Sequence, residues 1–242
     1  MADTLFYILL PLTAFLYASV GHGGASGYLA LMALFSFSPE VMKPTALLLN
    51  IFVAGISFLQ FARAGYFQWQ LFVVFAIASI PLSFLGGMIQ IDPHWYKFTL
   101  GVLLLFAIAR MIGIFGSEQT IIRQLNWPLG ILIGGIIGFF SGLIGIGGGI
   151  ILSPVILLLS WGNTKQAAAV SALFIWVNSA AGLAGQMQTE IELATRSWLF
   201  LTIAMFGGTL GSYFGSRLWS NSRIMFVLGT VLFLASLKLF FF

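Results

Sequence analysis

The chain is 242 residues long, 60% hydrophobic and 7% charged, with no cysteine and a formal charge of +4. Soluble domains carry roughly 25% charged residues, so this composition excludes a water-soluble globule and describes a polytopic membrane protein with no room for a catalytic domain outside the bilayer. The missing cysteines exclude disulfides, thiolate catalysis and cysteine metal sites, and the basic residues form no cluster dense enough to follow a nucleic-acid backbone.

A bilayer-crossing helix needs about 20 mostly apolar residues. The first apolar segments are 4–20, 24–37, 45–62, 69–91 and 95–115. Segment 4–20 lacks a basic leader and a cleavage site, so it reads as a retained membrane segment. A polar stretch, 116–126, precedes a second set: 128–144, 149–161, 166–186, 197–217 and 223–242. The second segment of each set is too short to cross easily. Each is expected to be a half-helix or one arm of a re-entrant hairpin. The expected fold is an all-α polytopic membrane protein of two repeated, inverted halves, with about 8–10 membrane segments. The halves are 1–115 and 127–242, joined by the loop 116–126.

Within the second set, residues 142–154 read GLIGIGGGIILSP. Glycine costs a helix about 1 kcal/mol relative to alanine, and proline about 3. Gly145, Gly147, Gly148, Gly149 and Pro154 therefore read as a built-in helix break. At membrane depth such backbone is tolerated only where protein buries it or where it lines a cavity. The same spacing occurs 124 positions earlier, where Gly21, Gly23 and Gly24 align with Gly145, Gly147 and Gly148. Ala25 stands in place of Gly149 there, and Ala30 in place of Pro154. The segment ends match too: LGVLLLFA at 100–107 against LGTVLFLA at 228–235, with Arg110 against Lys238. Chance likeness between Leu-rich helices is the plain alternative, but both signals occur in the same order, as duplication requires. Matched Gly-broken segments in two halves point to a transporter's binding site.

Charge gives an expected orientation. With ten crossings and the N-terminus outside, Arg63, Arg110, Arg123, Lys165, Arg217 and Arg223 fall inside, and Lys43, Lys97, Arg196 and Lys238 outside. That split has the sign of the positive-inside rule. Asp3, Glu40, Asp92, Glu190 and Glu192 then lie outside. Five segments per half make the halves inverted. Re-entrant hairpins are expected to lower the span count to about eight and to remove that parity argument. Tyr66, Trp69, Trp95, Tyr96, Trp127, Trp161, Trp198 and Trp219 sit near segment ends, where aromatic rings anchor at headgroup level.

No carboxylate lies mid-segment, which argues against a cation site built on Asp or Glu. Backbone N–H groups at a helix N-terminus hold anions without a charged side chain, and glycine permits close approach. The candidate substrate-binding residues are therefore Gly21, His22, Gly23, Gly24 and Ala25 in the first break. In the second they are Gly145, Gly147, Gly148, Gly149 and Ile150. The N–H groups of residues 23–25 and 147–150 are expected to hold an anionic headgroup near the midplane. The competing reading gives the glycines to tight helix crossing alone. His22 either donates to an anion or carries a coupling proton, or it is a neutral ring bonded to a carbonyl freed by the break. Asn50 and Asn178, in apolar surroundings, each need a partner: substrate, or a neighbouring helix, the latter slightly favoured. Gln60, Ser57, Ser171 and Gln186 are weaker candidates of the same kind. Arg63 and Arg110 are expected to snorkel to the surface, and His94 to lie in an interfacial loop. The clusters match neither the dinucleotide nor the P-loop spacing. No enzyme activity, metal or cofactor is expected.

The pattern Gly-x-Gly-Gly-Gly-x-x-x-x-Pro at Gly145, Gly147, Gly148, Gly149 and Pro154, with GHGGASGYLAL as its degenerate first copy, resembles the sulfite exporter TauE/SafE-like permease family over essentially the whole chain. The resemblance implies a secondary transporter of the cell inner membrane. Its substrate would be a small anion, often sulfur-containing: sulfite, a sulfonate, sulfoacetate, thiosulfate or another small organic anion. The implied partners are that anion, membrane lipid and a coupling proton or sodium ion, with a homodimer left open and no nucleic acid. A passive anion channel is the alternative, since carriers and channels share Gly-lined polar paths.

Overall fold

A computed structural model describes residues 2–111, 122–189 and 196–217. The expected last segment 223–242, its 228–235 motif, Trp219, Glu190, Glu192 and most of the loop 116–126 lie outside the described residues. So do the side chains of Asp3 and Arg110.

Among the described residues the chain is all-helical. It runs α1 (Ala2–Ser19), α2 (Ala25–Leu34), α3 (Pro39–Arg63), α4 (Trp69–Met88), α5 (Pro93–Met111), α6 (Trp127–Ile144), α7 (Gly149–Leu158), α8 (Thr164–Gln186) and α9 (Arg196–Arg217), with a 3-10 turn at Met187–Thr189. Five of them (α3, α4, α6, α8 and α9) are long and apolar enough to cross a membrane. Local sequence explains several starts. Asn126 accepts a hydrogen bond from Leu129 N–H to cap α6. Asn163 and Gln166 form a reciprocal capping box on α8.

The short segments are hairpin arms, not crossings. α2 turns back along α1: Ser26 donates to the Tyr17 hydroxyl at 3.0 Å, and a Cβ on Gly27 would meet Thr13 and Tyr17. The Phe6 ring, near the start of α1, lies 5.4 Å from Phe35 and 5.2 Å from Phe37, past the end of α2. α7 likewise returns to the start of α6, where Trp161 packs on Gly130 and Arg123 N–H donates to Ser160 O.

Helix directions follow from the contacts. α6 runs parallel to α4, with Gly134, Gly138 and Gly142 set against the backbone of Phe75, Ser79 and Ser83. α9 runs parallel to α1, with Gly207, Gly211 and Gly215 against Pro11, Phe15 and Ser19. A Cβ at any of these six glycines would overlap a carbonyl oxygen of the facing helix, so four-residue glycine spacing is what brings the backbones together. α3 and α8 run antiparallel: Asn50 meets Ser179, while Phe61 packs with Ala168 and Ala169. The first hairpin therefore comes in from one end of the bundle (the α1 end), and the second from the opposite end (the α6 end).

Geometry recurs at the 124-residue spacing. α2 and α7 are both ten residues long and start at Ala25 and Gly149. Both end on a left-handed serine, Ser36 (φ 61) and Ser160 (φ 58). Phe37 N–H donates to Met32 O, and Trp161 N–H to Ile156 O, both at 3.0 Å. These are paired Schellman closures.

The aromatic belt holds for Trp69, Trp95, Trp127 and Trp198, which are exposed. Tyr96 and Trp161 instead are buried. Tyr96 donates to Ile144 O at 2.9 Å and braces the end of α6. The Trp161 ring lies 5.8 Å from that of Phe75, tilted by 41°.

Candidate functional site

The first break, Val20–Gly24, separates α1 from α2; the second, Gly145–Gly148, separates α6 from α7. Left-handed backbone occurs at Gly21 and Gly24 in one, and at Gly145, Gly147 and Gly148 in the other. Both breaks are buried, and they meet at Asn50, near the middle of α3. Asn50 Oδ1 accepts from Ala25 N–H at 3.0 Å, and its Nδ2 donates to Ser179 Oγ at 3.2 Å. A Cβ on Gly23 would sit 2.5 Å from Asn50 Oδ1, and one on Gly147 would overlap Asn50 Nδ2. Asn50 is thus a clamp that ties both breaks to α8. The Ala25 N–H, expected to face a ligand, is taken by this side chain.

The absent Cβ atoms give space to protein neighbours. Ala168 fills the place beside Gly21, Tyr28 beside Gly24, and Ile175 beside Gly149. At Gly148 a Cβ would meet Ile137 at 2.8 Å and Phe174 at 2.9 Å. Tyr28 closes the first break by donating to Gly23 O at 2.8 Å.

His22 is buried within the first break and reaches across to the second half. Its Nδ1 lies 3.0 Å from Val20 O and its Nε2 3.2 Å from Ser153 Oγ. A carbonyl only accepts, so Nδ1 carries a proton, and in the neutral ring the Ser153 hydroxyl donates to Nε2. Ser153 Oγ also lies 2.8 Å from Ser171 Oγ; with the neutral ring taking the Ser153 proton, Ser153 accepts from Ser171. The chain His22–Ser153–Ser171 ties the first break to α7 and α8. His94 is exposed at the start of α5, its N–H bonded to Asp92 Oδ1 at 2.8 Å.

Some of the polar groups left over lie at the second break, while the buried Ser57 hydroxyl lies two turns beyond Asn50 on α3. The first intrahelical bonds of α7 run from Ile151 and Leu152 to Gly148 O, which leaves Gly149 and Ile150 N–H without an acceptor among the described residues. Ser141 is fully buried one turn before the break, and its hydroxyl has no partner among the described residues. Its Cβ is 3.4 Å from where Gly148 would carry one. Asn178, adjacent in sequence to Ser179, donates to Phe174 O at 2.8 Å and to Ser79 Oγ at 3.1 Å, while its Oδ1 has no partner among the described residues. The Gly149 and Ile150 N–H groups and the Ser141 hydroxyl are donors that suit an anion away from lipid, whereas Asn178 Oδ1 is an acceptor and suits a donor instead.

Sequence reading missed Lys43. It was expected in an outer loop, but α3 starts at Pro39, so Lys43 lies in its second turn and is buried. A surface cavity of about 410 Å³ opens at the α6 end, lined by Gln68, Gln70, Arg123, Trp127 and Gln166. It forms a mouth between the first turns of α4, α6 and α8, apart from the breaks.

Comparison with known proteins finds membrane-transporter relatives. The profile of the family described as Sulfite exporter TauE/SafE matches residues 6–239. The probable membrane transporter protein y4hK of Sinorhizobium fredii is 38% identical over 231 residues, covering 93% of this chain and 93% of its own. The probable membrane transporter protein YunE of Bacillus subtilis is 27% identical, covering 84% of this chain and 82% of its own. The Sulfite exporter TauE/SafE family protein 6 of Arabidopsis thaliana is 28% identical over 64% of this chain and 41% of its own. No solved structure matches.

Proposed function

Because this chain belongs to the sulfite exporter TauE/SafE family and is a multi-pass membrane transporter, we propose that it is an inner-membrane permease for a small sulfur-containing oxyanion held where the two glycine breaks meet. The observation that carries this reading is the convergence of both breaks on Asn50, beside N–H groups at the start of α7 and a Ser141 hydroxyl that have no partner among the described residues. The substrate class is drawn from the family's name; the anionic preference is drawn from the donors.

The halves are read as an inverted duplication. Support comes from the opposed hairpins, the matched breaks, and the fact that each half's first helix packs on the other half's fourth: α1 on α9 and α6 on α4. Rocking of these interlocked elements would expose the breaks alternately to each side. Arg63, Arg123, Lys165 and Arg217 gather at the α6 end, against Lys43, Lys97 and Arg196 at the α1 end, so the α6 end is assigned to the cytoplasm.

The test is flux into proteoliposomes holding the purified protein, with radiolabelled sulfite, thiosulfate, sulfoacetate, taurine and chloride offered in turn. Saturable uptake of one sulfur anion with trans-stimulation supports the reading. Non-saturable flux of every anion, chloride included, replaces it with a channel.

A further inference from the structure

We infer that Lys43 is the fixed positive charge of the substrate path: its ammonium binds the permeant oxyanion at the α1 end, beside the turn that opens the second break. This rests on the permease reading and adds a residue and a charge to it. The side chain is buried, yet no carboxylate lies within ion-pair distance among the described residues. Glu40, one turn earlier on α3, is exposed. Among the described residues the ammonium touches only Gly87 O at 3.5 Å and Ile89 O at 3.4 Å. Charge-assisted N–H···O bonds run at about 2.7–2.9 Å, and an ammonium has three donors. Lys43 therefore holds donor capacity that the described residues do not use.

A second lysine shows what a satisfied one looks like in this fold. Lys165, in the first turn of α8, reaches the last turn of α9 just as Lys43 reaches the last turn of α4. Its Nζ donates to Gly215 O at 2.7 Å and sits over the Phe61 and Tyr66 rings at 5.6 and 5.9 Å. Lys43 lacks both the short bond and the rings. Its stem instead packs on the second break: a Cβ on Gly145 would lie 3.0 Å from Lys43 Cγ and 3.2 Å from its carbonyl oxygen. An intramembrane charge without a counter-charge is costly and marks a functional position. The carbonyl end of α4 offsets part of that cost. A small oxyanion arriving at the Gly145 turn supplies the rest, and it is the ligand chemistry that spare ammonium donors select.

The experiment compares sulfite uptake by wild type, Lys43→Gln, Lys43→Arg and, as a control for capping alone, Lys165→Gln, with amine acylation of the wild-type protein read by mass spectrometry. Lys43→Gln is expected to raise KM at least tenfold and to flatten the dependence on ionic strength, Lys43→Arg to keep KM within threefold, and Lys165→Gln to leave KM unchanged. In wild type, saturating sulfite is expected to slow acylation of Lys43 at least threefold and leave Lys97 unaffected. Saturable wild-type uptake with unchanged KM in Lys43→Gln overturns the Lys43 assignment alone. If that variant does not fold, unprotected acylation of Lys43 in transporting wild type does the same. Absence of wild-type flux for every sulfur anion overturns both this inference and the permease reading.

Discussion

Replacing Gly147 with alanine separates the break's role from the general penalty of left-handed backbone. Gly147 has φ +73, and an added Cβ would overlap Asn50 Nδ2 and lie 2.9 Å from Ile175 Cγ2 and 3.0 Å from Ser179 Oγ. The left-handed conformation costs a non-glycine residue about 1–2 kcal/mol, and overpacking a well-filled site adds about 1–3. Gly65 supplies the control: its φ is +82, and a Cβ there meets nothing within 4 Å. Gly65→Ala is therefore expected to lose about 1–2 kcal/mol from backbone strain alone, and Gly147→Ala about 2–5 kcal/mol together with transport. The assay is unfolding of the detergent-purified variants by a graded denaturant, paired with proteoliposome uptake. Equal losses of stability in the two variants, or full uptake in Gly147→Ala, would refute the claim that Asn50, Ser179 and the second break form one tightly packed unit.

Other outcomes follow from the same contacts. Asn50→Leu strips the Ala25 N–H of its acceptor and should cost about 1–3 kcal/mol for that buried donor; an unfolding midpoint equal to wild type would contradict the clamp. Ser153→Ala severs His22 from Ser171 and should cost about 0.5–1.5 kcal/mol for each hydrogen bond lost, read by the same unfolding curve. Gly138→Ala, which drives a Cβ into Ser79 O, should impair folding more than Gly55→Ala, whose nearest neighbour is Trp176 at 3.5 Å; fluorescence-detected size exclusion ranks the two. Because the natural chain has no cysteine, Gln124→Cys and Gln90→Cys report sidedness directly. An impermeant thiol reagent should reach Gln124→Cys only from the cytoplasmic face and Gln90→Cys only from the opposite one.

The two breaks were legible from sequence because glycine and proline are costly inside helices, so their clustering in an apolar run marks a place where the helix stops. The short arms α2 and α7 were legible from length alone. What the glycines do was half legible. Their left-handed backbone follows from residue type, but whether their missing side chains make room for ligand or protein depends on which helix lies opposite. Here Tyr28, Ala168 and Ile175 occupy that room. The partners of His22 could not be read, because Ser153 and Ser171 are remote in sequence and meet it only once the hairpins interlock. Lys43 escaped for a simpler reason. Hydropathy starts its segment at residue 45, whereas Pro39 at the first turn starts the helix earlier and carries the lysine inside.

Selenite is an electron-dense analogue of sulfite, so crystals of the protein soaked with it locate the site without any assumption about flux. The expected result is an anomalous selenium peak at the start of α7, within hydrogen-bond distance of the Gly149 and Ile150 N–H groups and the Ser141 hydroxyl. A transport-competent protein whose selenium peak lies away from both breaks would contradict a site at their meeting point.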